Sequence, residues 1–209
     1  MINFIALLGW APTGEQEIFT IDELAQAFEI SGISKSPALF DPVKLKAING
    51  EYIRKMAPET FAEKAIPYIR QTVKRETADL QLLCHVLQPR TELFTEIPEQ
   101  VDFIDALPDY DVELYRHKKM KTTPETAKEA LEAVLPVLES VTDWNVDSIH
   151  AAVFEKIGEM GVKNGWMLWP LRTALSGKPF TPGGGIELCA ILGKDATLER
   201  VKDGIHRLS

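Results

Sequence analysis

Apolar and polar positions along the chain recur mostly with a helical period, and helix boundary signals punctuate them at intervals. Ile2, Phe4, Ile5, Leu7 and Leu8 read as an apolar helix that stops at Gly9. Thr20-Ile-Asp-Glu23 has the pattern of a capping box, with Leu24, Ala27 and Phe28 following on one face. Asp41-Pro42 sets a capping oxygen before a proline suited to the first helical position, and Thr123-Pro124 repeats the device. Ala127, Leu131, Val134, Leu138 and Val141 then follow at three-to-four spacing. Asn145 is placed to cap a further helix, with Ile149, Val153, Ile157 and Met160 inside and Gly161 as its stop.

Strict alternation over four or more residues is nearly absent, so an all-α fold is expected. The acidic segment from Ile97 to Asp111, punctuated by Pro98 and Pro108, is the expected boundary. It separates two consecutive helical bundles, 1–105 and 106–209. No fixed-period repeat is present. The first helix has no room for a cap before it, which predicts a piece cut from something longer; a buried N-terminal helix is the alternative.

Composition narrows the function classes. Of 209 residues, 45% are hydrophobic and 26% charged, as in packed soluble domains. No apolar run approaches the roughly 18 residues that span a bilayer. The start, MINFIALLGW, lacks the basic flank and small-residue cleavage site of a secretory signal. Cys84 and Cys189 lie far apart without a CxxC or Cys/His cluster, so buried thiols in a reducing cytoplasm are expected and no metal site is. The four histidines (His85, His117, His150, His206) have neither metal-ligand nor triad spacing. Gly183-Gly184-Gly185 matches neither a P-loop nor a dinucleotide fingerprint and reads as a tight turn.

The net charge of −8 argues against a general nucleic-acid binder such as a DNA-coating protein. Its distribution changes the picture. Lys44 to Arg75 holds eight basic residues against three glutamates, a local balance of +5, and Arg116 to Lys121 is a second basic run. Glu92 to Glu113 holds eight acidic residues and no basic one. Such segregation predicts one positive and one acidic face; each run alone also fits a solvated helix surface.

Five blocks of the chain carry a family likeness. They are Asn3-Phe-Ile-Ala-Leu-Leu-Gly-Trp10; Ile18-Phe-Thr-Ile-Asp-Glu-Leu24; Ser34-Lys-Ser-Pro-Ala-Leu-Phe-Asp41; Lys44-Leu45 with Asn49-Gly-Glu-Tyr-Ile-Arg54; and the tail from Gly161 to Arg200. The tail holds Gly161-Val-Lys, Pro170-Leu-Arg-Thr-Ala-Leu-Ser-Gly177, Thr181-Pro-Gly183 and Leu192-Gly-Lys194. In this order the blocks resemble the C-terminal part of bacterial glutamyl-tRNA synthetases, class I enzymes. The middle, roughly Ala57 to Asn145, follows by spacing.

The resemblance implies the end of a stem-contact domain followed by a helical anticodon-binding region. It implies tRNA for glutamate as partner, a catalytic Rossmann domain preceding Met1, and ATP and magnesium used there and not in this chain. The chain alone would then bind tRNA in the cytoplasm without catalysing aminoacylation. Ser34-Lys35-Ser36-Pro37 is superficially similar to the lysine loop of class I synthetases, but it has no nucleotide-binding sheet or His-x-Gly-His element upstream.

The same resemblance marks site residues. Arg90, in Gln88-Pro-Arg90, lies where the family often carries an arginine that inspects the third anticodon base. A guanidinium offers donors only. Cytosine presents the adjacent acceptors O2 and N3, whereas guanine presents one acceptor beside two N–H groups, so Arg90 would favour anticodons ending in C. An exposed arginine after a helix-ending proline is the alternative. Arg172 matches the family's base-contacting arginine, with an internal ion pair to Glu187 as the alternative. Thr181 matches a threonine able to hydrogen-bond a base, although Gly184-Gly185 replaces the Leu-Phe of one common family pattern. Trp169, like Trp166, serves either core packing or base stacking. Lys35, Lys44, Arg54 and Lys55 are candidate phosphate contacts or solvated charges. A free-standing helical adaptor with an acidic protein-binding face, and a regulator competing for tRNA, are the other functions that fit.

Overall fold

The computed structural model describes all of residues 1–209. It is 67% helical and has no strand. Eleven α-helices follow one another: α1 (Ile2–Gly9), α2 (Ile21–Ala27), α3 (Pro42–Arg54), α4 (Pro58–Thr72), α5 (Leu80–Leu87), α6 (Ile97–Val101), α7 (Pro124–Ser140), α8 (Val146–Met160), α9 (Asn164–Ser176), α10 (Gly185–Leu192) and α11 (Lys194–Arg207). No helix is long and apolar enough to cross a membrane.

The boundaries fall where local chemistry places them. The Thr20 hydroxyl accepts from the Glu23 amide while the Glu23 carboxylate accepts from Thr20, closing the capping box. Asp41 Oδ1 accepts from the amides of Val43 and Lys44 at 2.9 and 3.1 Å, with Pro42 opening α3. Thr123 caps α7 through Thr126, and Asn145 caps α8 through the Ser148 amide. Gly161 ends α8 with φ 63°, and Gly177 ends α9 with φ 59°. A side chain at Gly177 would also strike the Tyr110 ring, so this position is closed to other residues twice over.

Near the start, Trp10, Phe19 and Leu24 form a small apolar cluster beside α1 and α2. The buried Asn3 side chain donates to Glu17 O and accepts from the Phe19 amide. Tyr52 Oη, on α3, donates to Phe19 O at 2.6 Å and ties this cluster to the body of the protein. From Ile53 to Val201 one apolar cluster is continuous. It includes Ile97, Val101, Phe103 and Ile104 from the proline-punctuated acidic segment, all wholly buried.

That segment does not make a separate acidic face. Glu92 and Glu96 pair with Lys46, Asp105 with Arg75, Asp109 with Arg207, Glu113 with Arg116, and Asp102 with Lys178. Apolar residues turned inward between these acids draw the segment onto the core, and its carboxylates meet cations from α3, α11 and the loop after α9. Each partly exposed pair adds only about 0–1 kcal/mol, so the apolar contacts hold the segment and the charges set its register. Arg200, only 7% exposed, locks it further by donating Nη1 to Leu175 O and Nη2 to Ile104 O, at 2.6 and 2.8 Å.

Candidate nucleic-acid interface

A cavity of about 670 Å³ opens among α8, α9, the start of α10 and Arg90. Trp169 and Arg172 reach it from α9, where spacing of three puts them on one face. His150 and Phe154 reach it from α8, four residues apart, with rings stacked at 3.9 Å and 15°. Gly184 and Gly185 form the opposite edge, and Glu187 stands nearby in the first turn of α10. Gly185 allows α10 to approach this closely: a Cβ there would lie 3.2 Å from Leu168 O and 3.3 Å from the Arg172 amide.

Arg172 is half-buried, its guanidinium carbon 4.2 Å from the centre of the Trp169 ring. Nη2 donates to Pro179 O at 2.9 Å and Nη1 lies 3.5 Å from Thr181 Oγ1. No carboxylate lies within ion-pair distance, so the alternative of an internal pair with Glu187 is not what the structure adopts. Desolvation accordingly pushes its pKa below the ordinary guanidinium range. The result is a cation on an aromatic face at the cavity wall, with no carboxylate within ion-pair distance.

Arg90 sits on the single turn of 3-10 helix that continues α5, Gln88–Arg90. Its Nη1 donates to Val86 O at 3.3 Å and to Pro182 O at 2.5 Å, across 92 residues of sequence. Nε and Nη2, a two-donor edge, have no protein acceptor. Gln88 Nε2 fixes the turn by donating to the carbonyls of Ile53 and Met56. Arg90 and Arg172 therefore line one cavity and both brace the turn around Thr181-Pro182.

The other site candidates occupy distinct settings. The Thr181 hydroxyl donates to Gly183 O at 2.6 Å, which engages its proton in closing the turn. Trp169 donates its indole N–H to Leu114 O and meets His117 at 4.1 Å, while Trp166 packs on the core. Lys44 pairs with Glu17 at 3.0 Å and Arg54 with Glu51 at 2.6 Å; Lys35 and Lys55 are exposed. None of these four lines the cavity. They belong to the region around α3, a separate part of the surface.

Residues 60–205 match the model of the anticodon binding domain family. The chain belongs to that family. A glutamate–tRNA ligase of Clostridium acetobutylicum is 50% identical over 208 residues, covering 100% of this chain and 43% of that protein. One from Clostridium tetani is 52% identical over 208 residues, covering 100% and 42%. In fold, the chain is similar to a solved glutamate tRNA ligase from Elizabethkingia meningosepticum, with a TM-score of 0.76 at 24% identity, over 100% of this chain and 41% of the other. The chain thus spans less than half the length of the relatives it matches.

The sequence patterns did not point to His150 and Phe154 as cavity residues. Their signal was present: they share an α8 face offset from the core-facing Ile149, Val153 and Ile157. Nothing in the sequence marks the union of Arg90 with Pro182, because that contact is purely tertiary.

Proposed function

We propose that this chain is the anticodon-reading region of a class I glutamate–tRNA ligase and that the Arg90–Arg172 cavity receives bases of the tRNA anticodon loop. The observation that carries the proposal is the pair of arginines, neither in an ion pair, in a concave, aromatic-lined site of an anticodon-binding domain. Loop bases are unpaired and expose their Watson–Crick edges to such groups. The free Nε and Nη2 donors of Arg90 suit the O2 and N3 acceptors of cytosine. Against guanine, a donor meets a donor. Arg172 keeps the turn at Pro179 and Thr181 in place and offers its remaining donors and charge to the loop. Glu187 supplies the cavity with an acceptor for a base amino group. Lys35, Lys44, Arg54 and Lys55 would meet tRNA phosphates, Lys44 and Arg54 by exchanging their Glu17 and Glu51 partners, and add salt-dependent affinity without reading bases.

Aminoacylation would belong to the part of such a protein that the relatives carry beyond the matched 43%. Residues of this chain form no group of three or more His, Cys, Asp or Glu that could hold a metal ion, and no step with ATP or magnesium is assigned to them. Exposed Ile2, Ile5, Ile21, Ile30 and Val43 suit contact with a further part of the same protein in the cytoplasm. The adaptor alternative is disfavoured because the acidic segment is paired internally.

The test is a titration at fixed salt with glutamate anticodon stem-loops ending in C or in G. A buried donor–donor mismatch costs about 1–3 kcal/mol, so a preference for C of roughly 5- to 150-fold is expected, and Arg90→Gln should abolish it. Absence of binding to either loop and to whole tRNA contradicts the proposal. With ATP and glutamate added, the chain alone should form no glutamyl-tRNA.

A further inference from the structure

Phe180 is the most exposed large apolar side chain of the protein, at 86% of its free surface. An aromatic ring left in water gives up the transfer energy that its burial would supply. A mobile loop could fold such a ring inward, but this loop is held on both sides. Lys178 Nζ donates to Glu99 O at 2.7 Å and pairs with Asp102, and the Lys178 amide donates to Ser176 Oγ. Arg172 holds Pro179 O, Thr181 Oγ1 closes onto Gly183 O, and Arg90 holds Pro182 O. Prolines at 179 and 182 restrict the backbone on each side of Phe180 and Thr181. The backbone that carries the ring is therefore held in place, so little backbone freedom is lost when something covers Phe180.

Its surroundings define what could cover it. The depression beside Phe180 is lined by Pro179 and by the polar side chains of Lys46, Glu96, Glu99, Gln100 and Lys178. A lone ring among charged groups is not the contiguous apolar patch on which a protein partner docks. It is a surface for a planar group with a polar rim, such as a nucleobase. The carbonyl immediately before Phe180 is bound by Arg172, so the ring is covalently adjacent to the arm that lines the cavity.

We propose that Phe180 is a stacking platform for one unpaired base of the loop whose neighbours enter the Arg90–Arg172 cavity. The proposal rests on the anticodon-loop function put forward above. Stacking requires only a π-face, so Phe180 contributes affinity and strand direction and the arginines contribute base identity. Because the ring touches little of the protein, its removal leaves the fold intact.

The experiment uses glutamate anticodon stem-loops carrying 2-aminopurine at one loop position at a time, titrated with the wild-type chain, Phe180→Ala and Phe180→Trp. Wild type and Phe180→Trp should change the fluorescence at one particular loop position. Phe180→Ala should lose that change and bind about 5- to 150-fold more weakly, the range for losing one base–aromatic stack, at unaltered Tm. Phe180→Ala that keeps both affinity and fluorescence change overturns the stacking proposal while leaving the cavity's role intact. Weaker binding with no position-specific fluorescence change in wild type overturns it as well, since the ring then meets something other than a base. If the wild type binds neither stem-loops nor whole tRNA, the anticodon function falls and this proposal with it.

Discussion

Gly204, in the last turn of α11, tests how tightly the scaffold behind the cavity is packed. Helix α11 lies against α7 and against α9, which carries Trp169 and Arg172. A Cβ at Gly204 would sit 2.8 Å from Tyr115 Oη, 3.0 Å from Ala174 Cβ and 3.1 Å from Leu131 Cδ1. In an open helix, Gly→Ala gains about 1 kcal/mol of propensity. Here all three contacts are side chains of the packed interior, and the Tyr115 ring is wholly buried, with its hydroxyl 2.9 Å from Tyr110 Oη. The ring has nowhere to swing, so overpacking of about 1–3 kcal/mol should exceed the propensity gain. Gly204→Ala is expected to destabilise by up to about 2 kcal/mol in urea unfolding at an unchanged m-value. Tyr115→Phe removes the atom in closest contact at the expense of one neutral hydrogen bond, about 0.5–1.5 kcal/mol. The double variant should be more stable than the sum of the single effects by roughly 1 kcal/mol. Gly204→Ala more stable than wild type, or strict additivity with Tyr115→Phe, would refute the packing argument.

Thr173 Oγ1 is fully buried without a hydrogen-bond partner, so Thr173→Val should stabilise by about 1 kcal/mol in the same assay; a loss would mean that the hydroxyl has a partner after all. Burial pushes the Cys84 thiol up from its ordinary 9.0 to about 11, and raises Cys189, Tyr110 and Tyr115 as well. These groups lose their protons first in the unfolded chain, so stability is complete below about pH 9 and falls as pH rises. The slope approaches about 1.4 kcal/mol per pH unit for each group, and Cys84→Ala should make the fall shallower in pH-dependent urea melts. Arg172→Lys keeps the charge but cannot hold Pro179 O and Thr181 Oγ1 with a planar fork over Trp169; stem-loop affinity should drop about tenfold with the salt slope unchanged. Lys55→Gln, by contrast, should lower the slope by about 0.7 if that lysine meets a phosphate.

Much of the fold was legible because helix ends are local chemistry. Thr20, Asp41, Thr123, Asn145 and Gly161 each act within four residues of their own position, and each appears in the role its pattern implies. Charge was less legible because pairing is tertiary. The acids from Glu92 to Glu113 look like a face in one dimension, yet in three they meet Lys46, Arg75, Lys178 and Arg207, as many as 98 residues away. Buried Arg200 gave no signal at all, since its partners are backbone carbonyls that any sequence would supply. For the candidate site, Arg90 and Arg172 are marked by family motifs and Trp169 by its place beside Arg172 in the sequence; their common cavity required the fold. Thr181 was marked as a base contact, and the structure shows its hydroxyl closing the turn that the two arginines brace.

The central claim is that anticodon bases enter the cavity between Arg90 and Arg172. The most direct measurement is photo-crosslinking of this chain to a glutamate anticodon stem-loop in which an anticodon uridine is replaced by 4-thiouridine, with peptide mapping of the adducts. Adducts are expected within Trp169–Arg172 and residues 179–187, and they should be lost when the loop sequence is scrambled. Adducts confined to α1–α4, or an unchanged pattern with the scrambled loop, would contradict the claim.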